Sequence, residues 1–389
     1  MIALKQSKYK IGIVCYPTYG GSGVVATELG MALANKNHEV HFISYSQPFR
    51  LDVFSNKINF HEVSVPDYPL FEYIPYEHNL TAKLVDVVLH EKLNLLHVHY
   101  AIPHASAALS AKQILASKGI DLPIITTLHG TDITLLGKDK SFKSVIEFAI
   151  NNSDAVTAVS QSLKKETLSS FNINKEIQVV PNFIDSNLYK FKIDEDLRRS
   201  FVSKEEKLVI HISNFRKVKR VQDVLKVFAK IREKIPSKLL LIGDGPERLE
   251  MEQLCRNLNL CESIRFIGKL KAVEKILSVS DLFLLPSATE SFGLVALEAM
   301  ASSVPVISSN SGGLPEVNLD GKTGFLLNVK DVDGMAEKSI LLLKDNEKTD
   351  KLKKQGYKVL RFWEYDINNN PEKCLQKIIK AKKESRHEH

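Results

Sequence analysis

The chain has 389 residues, a formal net charge of +7, 44% hydrophobic and 25% charged residues, and four cysteines. This composition is typical of a globular protein with two domains of ordinary size. No run of 18 apolar residues occurs, so no membrane span is expected, and the first ten residues lack the apolar core of a signal peptide. The cysteines are scattered without a CxxC pair, which favours reduced thiols in a cytoplasmic protein. The modest positive charge fits phosphate-bearing small ligands, and we expect no nucleic-acid partner.

The first 44 residues predict the start of a doubly wound parallel sheet. Residues 8–15 form an apolar strand, 17–23 a glycine-rich turn (PTYGGSG), 24–35 a helix, and 39–44 a second strand. Gly21, Gly23 and Ala26 match a dinucleotide-binding fingerprint, although one such match is weak. The second strand ends in ISYS without the carboxylate that would hold a dinucleotide's ribose. We therefore expect this turn to approach another phosphate or sugar, or to serve packing alone.

Five more strands are predicted in the first half, at residues 59–65, 93–99, 123–128, 154–159 and 177–180, which makes about seven. A helix is expected over 79–92. The Pro- and aromatic-rich stretch 66–76 is interpreted as a surface loop, and a polar linker runs from Pro181 to about residue 207. We place the first, acceptor-binding domain at residues 1–190.

Several histidines follow strand ends in this half. His97 and His99 lie on one face of a strand, and His104 and His129 follow it in the chain. These four could ligate a metal, but no Cys or acidic residue completes the set at a recognisable spacing. Polar lining of a cleft, or hydrogen-bonded core histidines, are the alternatives.

The second half repeats the α/β pattern. Strands are predicted at 208–212, 238–242, 264–267, 282–285 and 305–307, with helices between them. We place this nucleotide-sugar-binding domain at residues 191–365, and expect a C-terminal helix at about 366–389 to pack back on the first domain. The loop SNFRKVKR (213–220) follows the first of these strands and concentrates four cations, unless it is only a solvated turn.

The stretch SATESFGLVALEAM (287–300) has the clearest functional pattern. It follows the buried strand, passes through a loop with Glu290, and becomes a helix from about Gly293. The first amides of a helix have no intrahelical partner and lie at the positive end of its dipole, so they can bind an anion. Glu298 comes one and a half turns later. This spacing would suit a nucleotide sugar, and the alternative is an amphipathic helix with a solvated Glu.

The Glu-x7-Glu pattern with Phe-Gly inside it resembles the signature of retaining GT-B glycosyltransferases of family 4. Longer strings resemble one subgroup of that family: CYPTYGGSGVVATELG (15–30), HVHYAIPHA (97–105), TTLHGTDIT (126–134) and HISNFRKVKRVQDV (211–224). The resemblance covers nearly the whole chain. It implies a GT-B fold of two Rossmann-like domains facing a central cleft. It also implies transfer of N-acetylglucosamine from UDP-N-acetylglucosamine (UDP-GlcNAc) to L-malate, the first step of bacillithiol biosynthesis, with no cofactor or essential metal.

The resemblance also assigns roles to single residues. It implies catalytic roles for Lys219 on the diphosphate, Glu290 on the sugar hydroxyls, and His129 near the reacting centre. The family's usual arginine is Asn214 here, so Arg216 is the substitute. The implied donor-binding set is Gly21, Arg216, Lys219, Glu290, Ser291, Phe292, Gly293, Leu294 and Glu298. Because one carboxylate alone has a clear claim to face the sugar, we expect direct front-face transfer rather than a glycosidase-like double displacement.

For the acceptor we expect Ser22, Tyr100 and Thr127, with Arg50 as the cation for a dicarboxylate. Two alternatives remain open at this point. One is a family 4 enzyme with a lipid or inositol phosphate acceptor, and the other is a nucleotide-sugar-binding protein without catalysis. The sequence leaves open whether the chain forms a homo-oligomer.

Overall fold

The structure is a computed structural model that describes residues 8–51, 55–64, 76–135, 137, 139–185, 188–189 and 194–345. The chain divides into two compact units, Met1–Asn182 and Phe183–His389. The boundary predicted at 190/191 and the helix predicted at about 366–389 fall outside the described residues, as does most of the loop 66–76. Within the described part, no helix combines the length and the apolar character needed to cross a bilayer.

The first unit contains a seven-stranded, fully parallel sheet with helices in the connections, as the sequence predicted. Its strand order is β3-β2-β1-β4-β5-β6-β7. The strands are β1 Lys10–Val14, β2 Glu39–Ser44, β3 Ile58–Glu62, β4 Leu95–His99, β5 Ile124–Leu128, β6 Ala155–Ala158 and β7 Ile177–Val179. The helices are α1 Ser22–Asn35, α2 Tyr76–Glu91, α3 Ser106–Ala116, α4 Lys143–Asn152 and α5 Gln161–Ser170.

The second unit contains a six-stranded parallel sheet with the order β10-β9-β8-β11-β12-β13. The strands are β8 Lys207–Ile212, β9 Ser237–Ile242, β10 Ile264–Gly268, β11 Leu282–Leu285, β12 Val306–Ser309 and β13 Gly324–Leu327. The helices are α6 Glu195–Arg199, α7 Val221–Arg232, α8 Arg248–Asn257, α9 Val273–Leu277, α10 Leu294–Ala301, α11 Leu314–Val317 and α12 Val332–Lys344. Sequence analysis missed β13, because its four residues are mostly half-buried at the sheet edge and show no long apolar run.

Burial explains why these segments take these forms. β11 (LFLL) is buried at every position, as expected for a central parallel strand covered on both faces. α7 instead buries Val221, Val224, Leu225 and Phe228, which recur at helical spacing on one side. Their packing against β8, β9 and β11 forms the core of the second unit.

In both sheets, the order in which strands are added reverses at the first strand. The chain runs outward from β1 to β3 and then returns to β4 on the other side of β1, and it does the same from β8 to β10 and back to β11. In open α/β sheets, ligands bind beside the carboxyl ends of the two strands that flank such a switch point. Ligand-binding sites are therefore expected at the loops after β1 and β4 and at those after β8 and β11.

Buried histidines line the switch-point side of the first sheet. His104 is fully buried, and its Nδ1–H donates to the carbonyl of His99 at the end of β4. Burial lowers the pKa of His104 to about 4, although this hydrogen bond acts in the opposite direction. Burial also lowers the pKa of His97 to about 4. Both imidazoles are therefore neutral in the folded protein near pH 7.

These shifts predict a loss of stability in mild acid. The pKa of His104 is lower in the folded chain than in the unfolded chain, so its contribution is complete above about pH 6.5 and is lost as the pH falls toward 4. His104→Gln should therefore reduce the pH dependence of the unfolding free energy between pH 6.5 and 4.5 by roughly 1 kcal/mol per pH unit. Urea denaturation at several pH values measures this slope.

The matched control is His78→Gln, which removes an exposed imidazole from α2. It should keep the wild-type slope, because it leaves the buried His104 in place. Equal slopes for wild type and His104→Gln would contradict the assignment of a neutral, buried His104.

Candidate functional site

The loops after β8 and β11 meet through one ion pair. Lys219 lies in the 3₁₀ turn Lys217–Lys219, and its Nζ donates to Glu290 Oε1 at 2.6 Å. The Ser287 hydroxyl donates to the same oxygen at 2.8 Å. The backbones also join, because the Ala288 N–H donates to the Val218 carbonyl at 2.8 Å. The lysine and the glutamate that the sequence singled out are thus in direct contact.

The basic loop is supported from behind by the turn after β9. A Cβ at Gly245 would lie 2.0 Å from the Asn214 carbonyl oxygen, and one at Gly243 would lie 1.8 Å from that of Ser213. The Glu247 N–H donates to the Phe215 carbonyl at 3.0 Å. This close approach of two backbones holds the loop against the sheet.

His211 connects the two strands beneath this site. Its Nδ1–H donates to the Leu284 carbonyl at 2.8 Å, which leaves Nε2 to accept from the Ser213 hydroxyl at 2.8 Å. Burial lowers the pKa of His211 to about 4, so the ring is neutral. The histidine therefore fixes the start of the basic loop relative to β11 without adding charge.

The four cations of the loop have different surroundings. Arg220 Nε donates to Asp223 Oδ2 at 2.5 Å, so its charge is directed to the first turn of α7. Arg216 and Lys217 are exposed, and Lys219 is held by Glu290. Lys219 and Arg216 are the two cations assigned to the diphosphate, and neither takes part in this ion pair with α7.

Helix α10 begins at Leu294, directly after the Glu290 loop. Gly293 has φ 92°, a left-handed conformation that favours glycine, and its carbonyl accepts from the Ala296 and Leu297 amides. A Cβ at Gly293 would lie 2.6 Å from Leu314 Cδ2. The glycine is therefore required by backbone conformation and packing. The start of α10 still offers the amides of residues 292–294 beside the half-buried Ser291.

Glu298 has a partner that sequence analysis missed. The Tyr189 hydroxyl donates to Glu298 Oε1 at 2.6 Å, and both side chains are buried, at 4% and 5% exposure. Tyr189 lies in the polar linker, where no periodicity or motif marked it. Glu298 is thus not a solvated helix residue.

The switch point of the first unit brings two predicted acceptor residues together. Ser22 is the first residue of α1, and its Oγ lies 2.6 Å from the Tyr100 hydroxyl after β4. Gly21, which precedes α1, has φ 55°, and no atom lies within 4 Å of the place where its Cβ would be. The backbone there is open to a ligand, next to the unpaired first amides of a 14-residue helix.

Thr127 lies one strand further along, at the end of β5. Its hydroxyl oxygen is 2.7 Å from His97 Nε2 and 2.7 Å from the Thr157 hydroxyl, and its carbonyl accepts from the Tyr100 N–H at 2.9 Å. The structure therefore connects Thr127 to Tyr100 through the backbone, while its hydroxyl is engaged within the sheet.

His129 is buried and neutral. Its Nε2 lies 2.7 Å from His99 Nδ1, and burial, followed by the nearby His97 and His104, lowers the pKa of His129 to about 3. Its ring centroid is 5.3 Å from that of Tyr100. Among the described residues, no three of these four histidines bring their ring nitrogens close enough together to share one ion, which favours the polar-lining interpretation over the four-histidine metal site.

Asp132, which sequence analysis did not single out, orders the same corner. It accepts from the Ala101 and Gly130 amides at 2.8 and 3.2 Å.

Arg50, the cation predicted for the acceptor, has its Nη1 3.6 Å from Glu28 Oε1 of α1, so its charge already has a carboxylate partner. Its contact with an acceptor stays a prediction.

Comparisons with known proteins agree with this architecture. The profile "Glycosyltransferase Family 4" matches residues 19–188, and "Glycosyl transferases group 1" matches residues 192–359. The chain is 53% identical over 342 residues to N-acetyl-alpha-D-glucosaminyl L-malate synthase of Bacillus anthracis, covering 87% of this chain and 89% of that one. It is 27% identical over 249 residues to a GDP-mannose-dependent phosphatidylinositol monomannoside mannosyltransferase of Mycolicibacterium smegmatis, covering 59% and 63%.

Solved structures show the same fold at low sequence identity. Anabaena HepE in complex with UDP and glucose has a TM-score of 0.77 at 19% identity, covering 96% of this chain and 99% of that one. Sucrose-phosphate synthase from Thermosynechococcus elongatus has a TM-score of 0.76 at 20% identity, covering 98% and 100%. From the two Rossmann-like sheets, both profiles and the 53% identical relative, we conclude that the chain belongs to the family 4 glycosyltransferases and has the GT-B fold.

Proposed function

We propose that this glycosyltransferase transfers N-acetylglucosamine from UDP-GlcNAc to the hydroxyl of L-malate, with retention at the anomeric carbon, as the first step of bacillithiol biosynthesis. The observation that carries this proposal is the 53% identity over 87% of the chain to a relative named for that product. The relative named for a phosphatidylinositol mannoside is half as similar and matches 59% of the chain, so a lipid acceptor is not favoured.

The donor's diphosphate is proposed to bind at the switch point of the second unit. The Lys219 ammonium and the first amides of α10 supply positive charge there, and Arg216 adds a second cation nearby in the chain. Glu290 would turn its carboxylate from Lys219 to the sugar hydroxyls as Lys219 contacts phosphate. Lys219 and Glu290 neutralise each other without a ligand. A donor would give each of them a new partner, since its diphosphate can pair with Lys219 and its sugar hydroxyls can donate to Glu290.

The transfer requires no protein nucleophile in this proposal. The bond between the anomeric carbon and the diphosphate oxygen breaks, the malate hydroxyl oxygen bonds to the same face, and its proton passes to the departing diphosphate. Lys219 and the α10 amides stabilise the charge that develops on that oxygen, so we propose that no metal is needed. His129 is neutral, and we propose that it contributes a hydrogen bond near the sugar instead of an ionic charge.

The acceptor is proposed to bind beside Ser22 and Tyr100. Their hydroxyls are in contact, and the first amides of α1 can receive a carboxylate. Gly21, which precedes these amides, stays assigned to the donor's diphosphate as a prediction. Thr127 would act through its backbone link to Tyr100. Arg50 would have to leave Glu28 to contact malate, so the α1 amides are the simpler source of positive potential.

The acceptor assignment predicts malate-dependent release of UDP. Purified protein with UDP-GlcNAc, in the presence of EDTA, should release UDP when L-malate is added, and the product should carry N-acetylglucosamine on the malate hydroxyl. UDP release and mass spectrometry measure this. Glycerol and inositol 1-phosphate serve as acceptor controls. Release with inositol 1-phosphate but not with malate would reject the proposed acceptor and keep the enzyme class.

Lys219→Ala should lower kcat by about 10²–10³-fold, because it removes a cation placed where charge develops in the transition state. Lys217→Ala is the matched control, since it removes an exposed lysine from the same turn and should stay near wild-type activity. Steady-state kinetics with saturating malate provide the measurement. Wild-type kcat in Lys219→Ala would remove this lysine from the mechanism.

The family resemblance assigns Glu298 to the ribose of the donor. Glu298→Gln should therefore raise the KM for UDP-GlcNAc about tenfold and change kcat little, because the ribose lies away from the bond that breaks. An amide oxygen can still accept from Tyr189, so the buried contact is kept. Tyr189→Phe removes that contact and leaves the carboxylate. Comparing the two variants distinguishes loss of the tyrosine that positions Glu298 from loss of the carboxylate that would bind the ribose. Unchanged KM in Glu298→Gln would exclude the ribose contact.

A further inference from the structure

Two imidazoles and a carboxylate meet at the β3 edge of the first sheet. His41 of β2 is fully buried, His61 lies in the neighbouring strand β3, and Glu91 is the last residue of α2. One ligand atom from each lies within 4.8 Å of the other two. His41 Nδ1 and His61 Nε2 are 2.9 Å apart, with stacked rings.

A fourth residue orients the buried imidazole. Glu39 Oε1 lies 3.2 Å from His41 Nε2, so the carboxylate can hold the proton on that nitrogen. Nδ1 then carries a lone pair directed at His61. A ligating histidine in a metal site usually donates its other N–H to a carboxylate or carbonyl in the same way, which sets the tautomer and the ring orientation.

The distances are close to those of a bound ion. Two nitrogens at about 2.0–2.1 Å from a tetrahedral Zn²⁺ are roughly 3.3–3.4 Å apart. The observed 2.9 Å therefore requires the rings to separate by a few tenths of an ångström. Without an ion, the His61 Nε2–H donates to His41 Nδ1. Binding would move that proton to His61 Nδ1, so a neutral imidazole stays neutral and no proton is released.

The charges around the cluster are also compatible with a cation. Carboxylates of Glu39, Glu91 and Asp86 face it, and Lys10 and Lys83 are the cations that act on it. Lys10 Nζ is 3.1 Å from Glu39 Oε1, so its charge is paired with that carboxylate. Burial lowers the pKa of His41 and of His61, which favours the neutral form that binds metals.

The cluster is separate from the proposed transferase site. Glu91 ends α2, and only residues 92–94 separate it from the amino end of β4. Lys10 and Glu39 are likewise the first residues of their strands. Glu91, Glu39 and Lys10 thus lie at the amino ends of the strands, and His41 and His61 lie within β2 and β3 on the β3 side of β1. The switch-point loops instead leave the carboxyl ends of β1 and β4.

We propose that His41, His61 and Glu91 bind a Zn²⁺ ion, with water at the fourth position and Glu39 as the outer partner of His41. Two imidazoles and one carboxylate suit Zn²⁺ among abundant divalent ions, and do not suit Mg²⁺ or Ca²⁺, which prefer oxygen ligands. The ion would join β2, β3 and α2, and so stabilise the first unit without taking part in glycosyl transfer.

Zn²⁺ titration of the chelator-stripped full-length protein tests the site, with stoichiometry and Kd measured by competition with a chromophoric chelator. Wild type should bind one equivalent more than His61→Gln, and Glu91→Gln should raise the Kd about 10–100-fold. His90→Gln is the matched control, because it removes an exposed imidazole next to Glu91. The sequence also contains His387 and His389, and any ion that they bind should be retained by every variant.

Two further readouts separate a built site from surface binding. Zn²⁺ at a concentration near the wild-type Kd should raise the Tm of wild type and His90→Gln clearly, and that of Glu91→Gln much less, because stabilisation by a ligand falls as its Kd rises. Glu91→Gln alters one half-buried side chain at a helix end. Co²⁺ in place of Zn²⁺ should give a visible absorption spectrum typical of four-coordination in wild type and His90→Gln, and not in His61→Gln. Equal stoichiometry and Kd in wild type, His61→Gln and Glu91→Gln would overturn the proposal.

Discussion

The contact between Lys219 and Glu290 is the interaction on which the second unit's site depends. It forms because β8 and β11 are neighbours at the reversal of strand order, so the loops that leave their carboxyl ends come together. Both side chains are partly buried, and water and salt screen such a pair less than an exposed one. Each charge therefore remains compensated until another partner of suitable charge arrives, which keeps the site ordered without a ligand.

The sequence predicted the sheets well because their physical signals are local. Runs such as LFLL before Pro286 can only be buried, and glycine-rich turns mark the points where strands pass into helices. The ligand-facing loops followed from these strands, since strand ends and motifs coincide in a doubly wound sheet. Even so, only three-dimensional packing distinguished Arg220, which is ion-paired with Asp223, from the exposed Arg216, because both are equally basic in the sequence.

The contacts that sequence analysis missed join residues that are far apart in the chain. Tyr189 and Glu298 are separated by 109 positions, and a lone tyrosine in a polar linker carries no signal of its destination. The contact between His41 and His61 depends on the register of strands β2 and β3. Ile43 lies opposite His61 in that register, so the two histidines are diagonal neighbours on one face of the sheet. A shift of one residue would move His61 to the other face, so no composition or spacing rule could have placed it.

The support behind the basic loop has a consequence for how this enzyme can vary. A Cβ at Gly245 would lie 2.0 Å from the Asn214 carbonyl oxygen, so even a methyl group there would push the connection between β8 and α7 away from the sheet. Such a change would shift Lys219 through the backbone, although the altered residue contacts no ligand. Redesign of donor preference in this region is therefore confined to the exposed side chains of the connection, while positions 243 and 245 behind it must stay glycine.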